Sequence, residues 1–215
     1  MHQLHISFLG GGNMAAALIG GLTAAGHDAA CIRVFEPVPQ RAQELRERFG
    51  VHCVEADDLC IGADVLVLAV KPQQAAAALA DIRLSAGMSL LSIAAGLRVA
   101  ELQAAVAEGV HVIRSMPNTP AQVRAGASGL WAPDTVPETA RAQASYLLGA
   151  VGSVVWVAEE YQLDAVTALS GSGPAYVFLL TELMARAGQE LGLDAATADT
   201  LARQTVIGAA QLMAS

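Results

Sequence analysis

Gly10, Gly12 and Ala15 stand at the spacing G-x-G-x-x-G/A, directly after the apolar run Leu4–Leu9 and directly before small and aliphatic residues at helical spacing. In that pattern the first glycine makes a tight turn and the second lets the backbone approach a pyrophosphate. The third position allows close packing of a helix whose N-terminus turns unpaired N–H groups toward the phosphates. The same spacing also joins strands to helices in proteins that bind nothing, and the strand–turn–helix setting is what favours a cofactor here. Other residues with chemistry to offer are few. Glu36 ends a second apolar strand, where a carboxylate accepts ribose hydroxyls and repels a 2′-phosphate; Arg41 close by offers the opposite preference, and a solvated turn residue is the other reading of Glu36. Lys71 is the only lysine in the chain and follows the apolar run Val65–Val70, so one ammonium stands at a strand end. Asn118 lies between Pro117 and Pro120 in a loop stiffened by both prolines, either offering donors to a ligand or satisfying backbone groups in a turn. Ser170 and Ser172 bring hydroxyls to the stretch SGSGP, which also reads as a kink between helices.

The elements that must position these residues alternate. Strands are predicted over Leu4–Leu9, Cys31–Phe35, Val51–Val54, Asp64–Val70, Met88–Ile93 and Val110–Ile113. Helices are predicted after Asn13 and over Arg41–Phe49, Gln73–Ile82 and Val99–Ala107, with Arg114 to Pro120 as loop. Repeated strand–helix units across residues 4–120 imply a doubly wound parallel sheet. In such a sheet ligands lie outside the carboxyl ends of the strands. Those ends are where the glycine turn, Glu36, Lys71, the small residues Ala94 and Ala95, and Asn118 fall. Thr139–Leu148 as helix and Ser153–Val157 as strand close this unit, with Glu159 and Glu160 marking a boundary. From Leu163 the pattern is nearly all helix: Ala175–Leu191 is apolar, Gly192 stops it, and Asp194, with Thr197 in the first turn, opens a helix to Met213. An apolar helix pair appended to a nucleotide-binding unit buries itself against something, and a partner subunit is the expectation.

Composition limits the alternatives. A net charge of −8 over 215 residues argues against a nucleic-acid partner. Hydrophobic residues make up 54% with only 4% aromatic, as in close-packed helices and buried parallel strands. The uncharged stretches Ala142–Ala158 and Ala165–Thr181 are broken by glycine, the second also by Pro174, so no membrane span is expected. No basic, apolar leader opens the chain, and Cys31, Cys53 and Cys60 lack metal-ligand or CxxC spacing, so they are expected as buried free thiols in the cytoplasm. His2, His5, His27, His52 and His111 fall away from the expected crevice loops, and no catalytic dyad stands out.

Taken in order, GGGNMAAALIGG, AVKP, SIAAG, RSMPNTP and SGSGPAY resemble the pyrroline-5-carboxylate reductase family over essentially the whole chain. The resemblance implies a Rossmann-type domain over residues 1–158 and a helical dimerisation and substrate domain over 159–215. It implies reduction of the small imine 1-pyrroline-5-carboxylate to L-proline with NADPH or NADH, in a homodimer or higher oligomer whose C-terminal helices interlock. By position, Leu9, Gly10, Gly11, Gly12, Asn13 and Met14 would hold the pyrophosphate and Glu36 would face the adenosine ribose. Ala69, Val70, Lys71 and Pro72 would line the cofactor, Ile93, Ala94 and Ala95 would flank its nicotinamide half, and Asn118, Ser170 and Ser172 are the candidates on the substrate side. In the family a further stretch follows the last helix, with a Ser-Pro-Gly-Gly-Thr type loop that grips the substrate. This chain ends at Ser215 ahead of it, which implies a truncated chain or a short form; were the loop truly absent, nucleotide binding would survive and catalysis would be badly impaired. Two other readings stand beside this one: a non-catalytic nucleotide-binding or dimerisation module, and a β-hydroxyacid dehydrogenase. The latter has a similar layout but uses a lysine in its helical domain, and no lysine follows Lys71.

Overall fold

The computed structural model describes residues 4–215, so His2 lies outside the described residues. Strands run Ile6–Leu9 (β1), Ile32–Phe35 (β2), His52–Cys53 (β3), Val65–Leu68 (β4), Ser89–Ser92 (β5), His111–Met116 (β6), Gly126–Trp131 (β7) and Gly152–Trp156 (β8). They form one sheet in the order β3-β2-β1-β4-β5-β6-β7-β8. Every neighbouring pair is parallel except β6 with β7. β1, β4 and β5 are buried at every position, the reason their sequences run apolar instead of alternating.

Helices Asn13–Ala24 (α1), Pro39–Phe49 (α2), Ala75–Ala80 (α3), Val99–Ala104 (α4), Glu138–Gly149 (α5) and Gln162–Val166 (α6) accompany the sheet. Successive strand residues point to opposite faces, so Phe8 joins a core with Leu18, Leu22 and Leu147, while Leu9 joins a second core with Leu79 and Leu102. Each such fully buried leucine contributes roughly 1.5–3 kcal/mol of transfer free energy, and the two cores clamp the sheet between helical layers.

Several boundaries differ from the sequence reading. A 3-10 turn at Pro72–Gln74 precedes α3, which begins at Ala75. The sixth strand continues through Arg114, Ser115 and Met116, which the sequence placed in a loop. Arg114 still pairs with Ser92 of β5, and the antiparallel partner β7 carries the ladder onward, pairing Arg114 with Trp131 and Met116 with Gly129. The three thiols are free and only half-buried: Cys53 and Cys60 lie at the margins of the two cores, and Cys31 ends a 3-10 turn ahead of β2.

The chain divides into two compact units, Met1–Gly171 and Ser172–Ser215. The first therefore includes α6, whose Leu163 is fully buried, where the sequence set a boundary after residue 158. The second unit consists of Gly173–Glu190 (α7) and Ala195–Met213 (α8). Gly192 at φ +100° closes α7. Asp194 caps α8, with Oδ1 accepting the N–H groups of Ala196 and Thr197 at 3.1 and 3.0 Å and Oδ2 accepting the Thr197 hydroxyl at 2.6 Å. Those bonds to the ionised form hold the Asp194 carboxyl below its ordinary range. Phe178, Leu179, Leu180, Leu183 and Leu201 are exposed. By length and composition Gln162–Glu190 is apolar enough to cross a membrane, so the expected interruption at SGSGP does not shorten it below that test.

Candidate cofactor and substrate site

Leu9 pairs with Phe35 on one side and Leu68 on the other; Leu68 pairs with Ser92, and Ser92 with Arg114. One residue beyond that row stand Glu36, Gly10, Ala69, Ile93 and Ser115. The expected cofactor residues Leu9–Met14, Glu36, Ala69–Pro72 and Ile93–Ala95 thus share one carboxyl edge of the sheet. Between β1 and β4 the strand order reverses, and that is where open α/β sheets form a ligand crevice.

The crevice floor admits backbone only. Gly10 has φ +101°, and a Cβ there would lie 2.7 Å from the Ala69 carbonyl oxygen and 3.0 Å from Val70 Cγ1. The Gly10 N–H donates to the Phe35 carbonyl and the Ala69 N–H to the Leu9 carbonyl, each at 2.9 Å, which locks the turn to both neighbouring strands. Gly11 is less constrained, since a Cβ would meet the movable Leu45 Cδ1 at 2.6 Å. Its N–H donates to Glu36 Oε2 at 2.8 Å, while Glu36 Oε1 accepts the Val38 N–H at 3.0 Å.

Gly12 is the extended N-cap of α1, with no side-chain cap and no acidic residue in the first turn. The first intrahelical bond runs from Ala16 N–H to the Gly12 carbonyl, so the amides of Asn13, Met14 and Ala15 precede it without an intrahelical acceptor. Arg41 adds positive charge, its guanidinium 4.0 Å from where a Gly12 Cβ would sit. A cradle without Cβ atoms, open amides and a nearby cation fit a phosphate-bearing cofactor.

Farther along the edge, Lys71 is exposed and extended ahead of the 3-10 turn. Ala94 is buried and Ala95 exposed. The Ala94 N–H donates to Ser92 Oγ at 3.3 Å and Ser115 Oγ to the Ser92 carbonyl at 2.8 Å, fixing the end of β5.

Asn118 is buried, and its amide is engaged at both ends. Oδ1 accepts the Ala127 N–H at 2.9 Å and Nδ2 donates to the Ser170 carbonyl at 3.0 Å, the turn-satisfying alternative that its sequence setting allowed. Ser170 lies in a π-turn, Thr167–Gly171, and its hydroxyl donates back to the Val166 carbonyl at 3.1 Å. Ser172 is the first residue of the second compact unit and precedes α7 without capping it through its side chain.

Residues 160–215 match the pyrroline-5-carboxylate reductase dimerisation family, and residues 5–96 the family described as NADP oxidoreductase, coenzyme F420-dependent. The pyrroline-5-carboxylate reductase of Pseudomonas aeruginosa is 48% identical over 219 residues, covering 100% of this chain and 80% of the relative. The chain belongs to the pyrroline-5-carboxylate reductase family. A pyrroline-5-carboxylate reductase structure from Coxiella burnetii superposes with a TM-score of 0.92 at 40% identity, covering 98% of this chain and 80% of that one. A Plasmodium falciparum pyrroline carboxylate reductase with NADP bound superposes at 0.86 with 27% identity, covering 100% and 80%.

In this member of the reductase family, sequence reasoning passed over Arg114, Glu160 and Asp164. Arg114 is only 5% exposed, and its guanidinium lies 3.4 Å from Glu160 Oε1 and 3.5 Å from Asp164 Oδ1. Glu160 Oε1 also accepts the Val99 N–H at 2.8 Å, tying the start of α4 to the same carboxylate. The available signal was an arginine flanked by Ile113 and Ser115 in a run otherwise suited to burial, since such a charge requires a partner. His5, His52 and His111 stand at the amino-terminal ends of parallel strands, the edge opposite the glycine turn, and His27 is buried with Nδ1 3.0 Å from the Tyr146 hydroxyl. Among the described residues no three His, Cys, Asp or Glu side chains gather as a metal site.

Proposed function

We propose that this chain reduces 1-pyrroline-5-carboxylate to L-proline, the last step of proline biosynthesis, with NADH or NADPH as reductant. Family membership supports the reaction class. The approach of Gly10 to Ala69 at the sheet's switch point, closer than any side chain would permit, carries the assignment of the cofactor site. Gly12, Asn13 and Met14 would hold the pyrophosphate with their amides, Glu36 would face the adenosine ribose, and Ala69–Pro72 and Ile93–Ala95 would line the remainder. When bound, the reduced nicotinamide supplies a hydride for the imine carbon. The protein's task is then to hold the imine against that ring and to favour its protonated form, since the electron pair of the C=N bond moves to nitrogen. No strong general base is required, consistent with a carboxyl edge that offers amides and hydroxyls instead of a dyad.

The ionised Glu36 disfavours a 2′-phosphate, so we read the preference as NADH over NADPH, with Arg41 opposing it. Residues 1–158 act as the cofactor domain and 159–215 as the dimerisation and substrate domain of a cytoplasmic homodimer, whose pairing covers the exposed apolar side chains of α7 and α8. Oxidation of NADH and NADPH, followed by absorbance with and without 1-pyrroline-5-carboxylate, tests the reading. Substrate-dependent oxidation is expected. Tight cofactor binding without any oxidation would overturn the reductase assignment in favour of a non-catalytic cofactor-binding module.

A further inference from the structure

The π-turn Thr167–Gly171 interrupts a helical run, and such turns recur at functional sites because they re-aim backbone groups that a regular helix keeps paired. Here the turn is held from β6 and its following loop at several points. Asn118 Nδ2 donates to the Ser170 carbonyl while Oδ1 anchors the same side chain to the Ala127 N–H. Arg114 pairs with Glu160 and Asp164, which lead into and lie within α6 just before the turn. Two glycines allow the close approach: a Cβ on Gly129 would be 2.8 Å from both Val166 methyl groups, and a Cβ on Gly171 would be 2.7 Å from Met116 Cε. Inside the segment, Thr167 Oγ1 donates to the Leu163 carbonyl at 2.8 Å and Ser170 Oγ to the Val166 carbonyl. The polar side chains therefore spend their bonds on backbone and fix its shape.

We propose that Asn118 and Arg114 are positioning residues for the imine side of the site: acting from β6 and its loop, they fix the π-turn Thr167–Gly171 relative to the carboxyl edge of the sheet. This rests on the reductase reading. Asn118 acts through the Ser170 carbonyl, and Arg114 acts through Glu160 and Asp164. Neither group contributes to phosphate binding, because the glycine turn and its partners Glu36, Ala69 and Phe35 are held by separate bonds.

The test compares the full chain with Asn118→Asp and Arg114→Met. The aspartate keeps an acceptor for Ala127 and removes the donor to Ser170. Arg114→Lys serves as the conservative rescue. Each is measured for kcat and KM with 1-pyrroline-5-carboxylate, for NADH affinity by titration, and for amide hydrogen exchange. Asn118→Asp and Arg114→Met are expected to lower kcat/KM for the imine roughly tenfold or more, because small misplacements of bound reactants are costly. NADH affinity should stay within about twofold, faster exchange should be confined to the segment containing residues 163–171, and Arg114→Lys should recover part of the loss. Unchanged imine kinetics despite faster exchange, unchanged exchange, or a parallel loss of NADH affinity would each overturn the positioning role. An unsubstituted chain that binds NADH but turns over no imine overturns instead the reduction itself, and this role with it.

Discussion

Glu36 Oε2 accepts the Gly11 N–H at 2.8 Å, so the carboxylate at the tip of β2 is tied to the glycine turn at the end of β1. The second oxygen is held by the Val38 N–H, and the negative charge is therefore fixed in place instead of swinging into solvent. A fixed charge beside the turn discriminates between cofactors with and without a 2′-phosphate more sharply than a mobile one.

Replacing Glu36 separates charge from geometry. Glu36→Gln keeps an oxygen for Gly11 and removes the charge, whereas Glu36→Ser removes both. Both variants should narrow the ratio of NADPH to NADH dissociation constants by about tenfold, equivalent to ~1.4 kcal/mol. The serine variant should lose about 1 kcal/mol of stability through the unpaired Gly11 amide, and the glutamine variant less, since its single oxygen gives up only the exposed Val38 N–H. Fluorescence titration with each cofactor and denaturant unfolding read the two effects. An unchanged cofactor ratio in both variants would remove Glu36 from the selectivity argument.

Gly10→Ala should lose cofactor affinity and at least about 2 kcal/mol of stability, since φ +101° strains any side chain and its Cβ would meet the Ala69 carbonyl at 2.7 Å. Gly26→Ala is the control: its φ is +89°, but nothing lies within 4 Å of the added carbon, so only the backbone strain of about 1 kcal/mol applies. Denaturant unfolding of both variants, with NADH titration, checks the contrast. Equal losses would mean that the close approach to Ala69 does not matter.

Cys60 should resist thiol reagents. Burial pushes its thiol up to about 11, against a smaller opposing pull from Arg33. At pH 8 roughly one molecule in a thousand then carries the thiolate that reacts. Alkylation followed by mass spectrometry should label Cys60 slowly in the native protein and rapidly in denaturant. Fast native labelling would show that the loop holding Cys60 opens.

The sheet was readable because its strands carry continuous apolar runs and its turns carry glycine, both local signals. The glycine turn was readable for the same reason: Gly10, Gly12 and Ala15 are neighbours in sequence. Asn118 was legible as a residue of interest, but its partners Ala127 and Ser170 are set by topology, and no local pattern announces them. Arg114 was missed because its strand is carried past Ile113 by pairing with Ser92 of β5 and with Trp131 to Gly129 of β7, contacts that periodicity in β6 alone does not encode. The contacts of Glu160 were hidden for a similar reason. Glu159 and Glu160 look like a solvated break in one dimension, yet Glu160 accepts the Val99 N–H and pairs with a buried arginine.

His27 is expected to make the first unit sensitive to acid. Its imidazole is held below the ordinary value of 6.5 chiefly by burial, with His5 pushing the same way and the Leu4 carbonyl and Asp28 opposing. Tyr146 on α5 faces Nδ1 and does not supply a charge. Because the folded pKa is depressed, the unfolded chain takes up a proton near pH 6.5 that the folded chain resists, so unfolding binds protons and stability rises with pH through that window. The contribution is fully present above pH 6.5 and is lost as pH falls through the lower folded value. Urea unfolding between about pH 5 and 7.5 should show a loss on acidification that is shallower in His27→Gln, which retains hydrogen-bonding groups but does not titrate. The difference between the two curves should correspond to no more than about one proton per chain. Parallel curves would mean that His27 titrates identically in both states, and the acid sensitivity would then lie elsewhere.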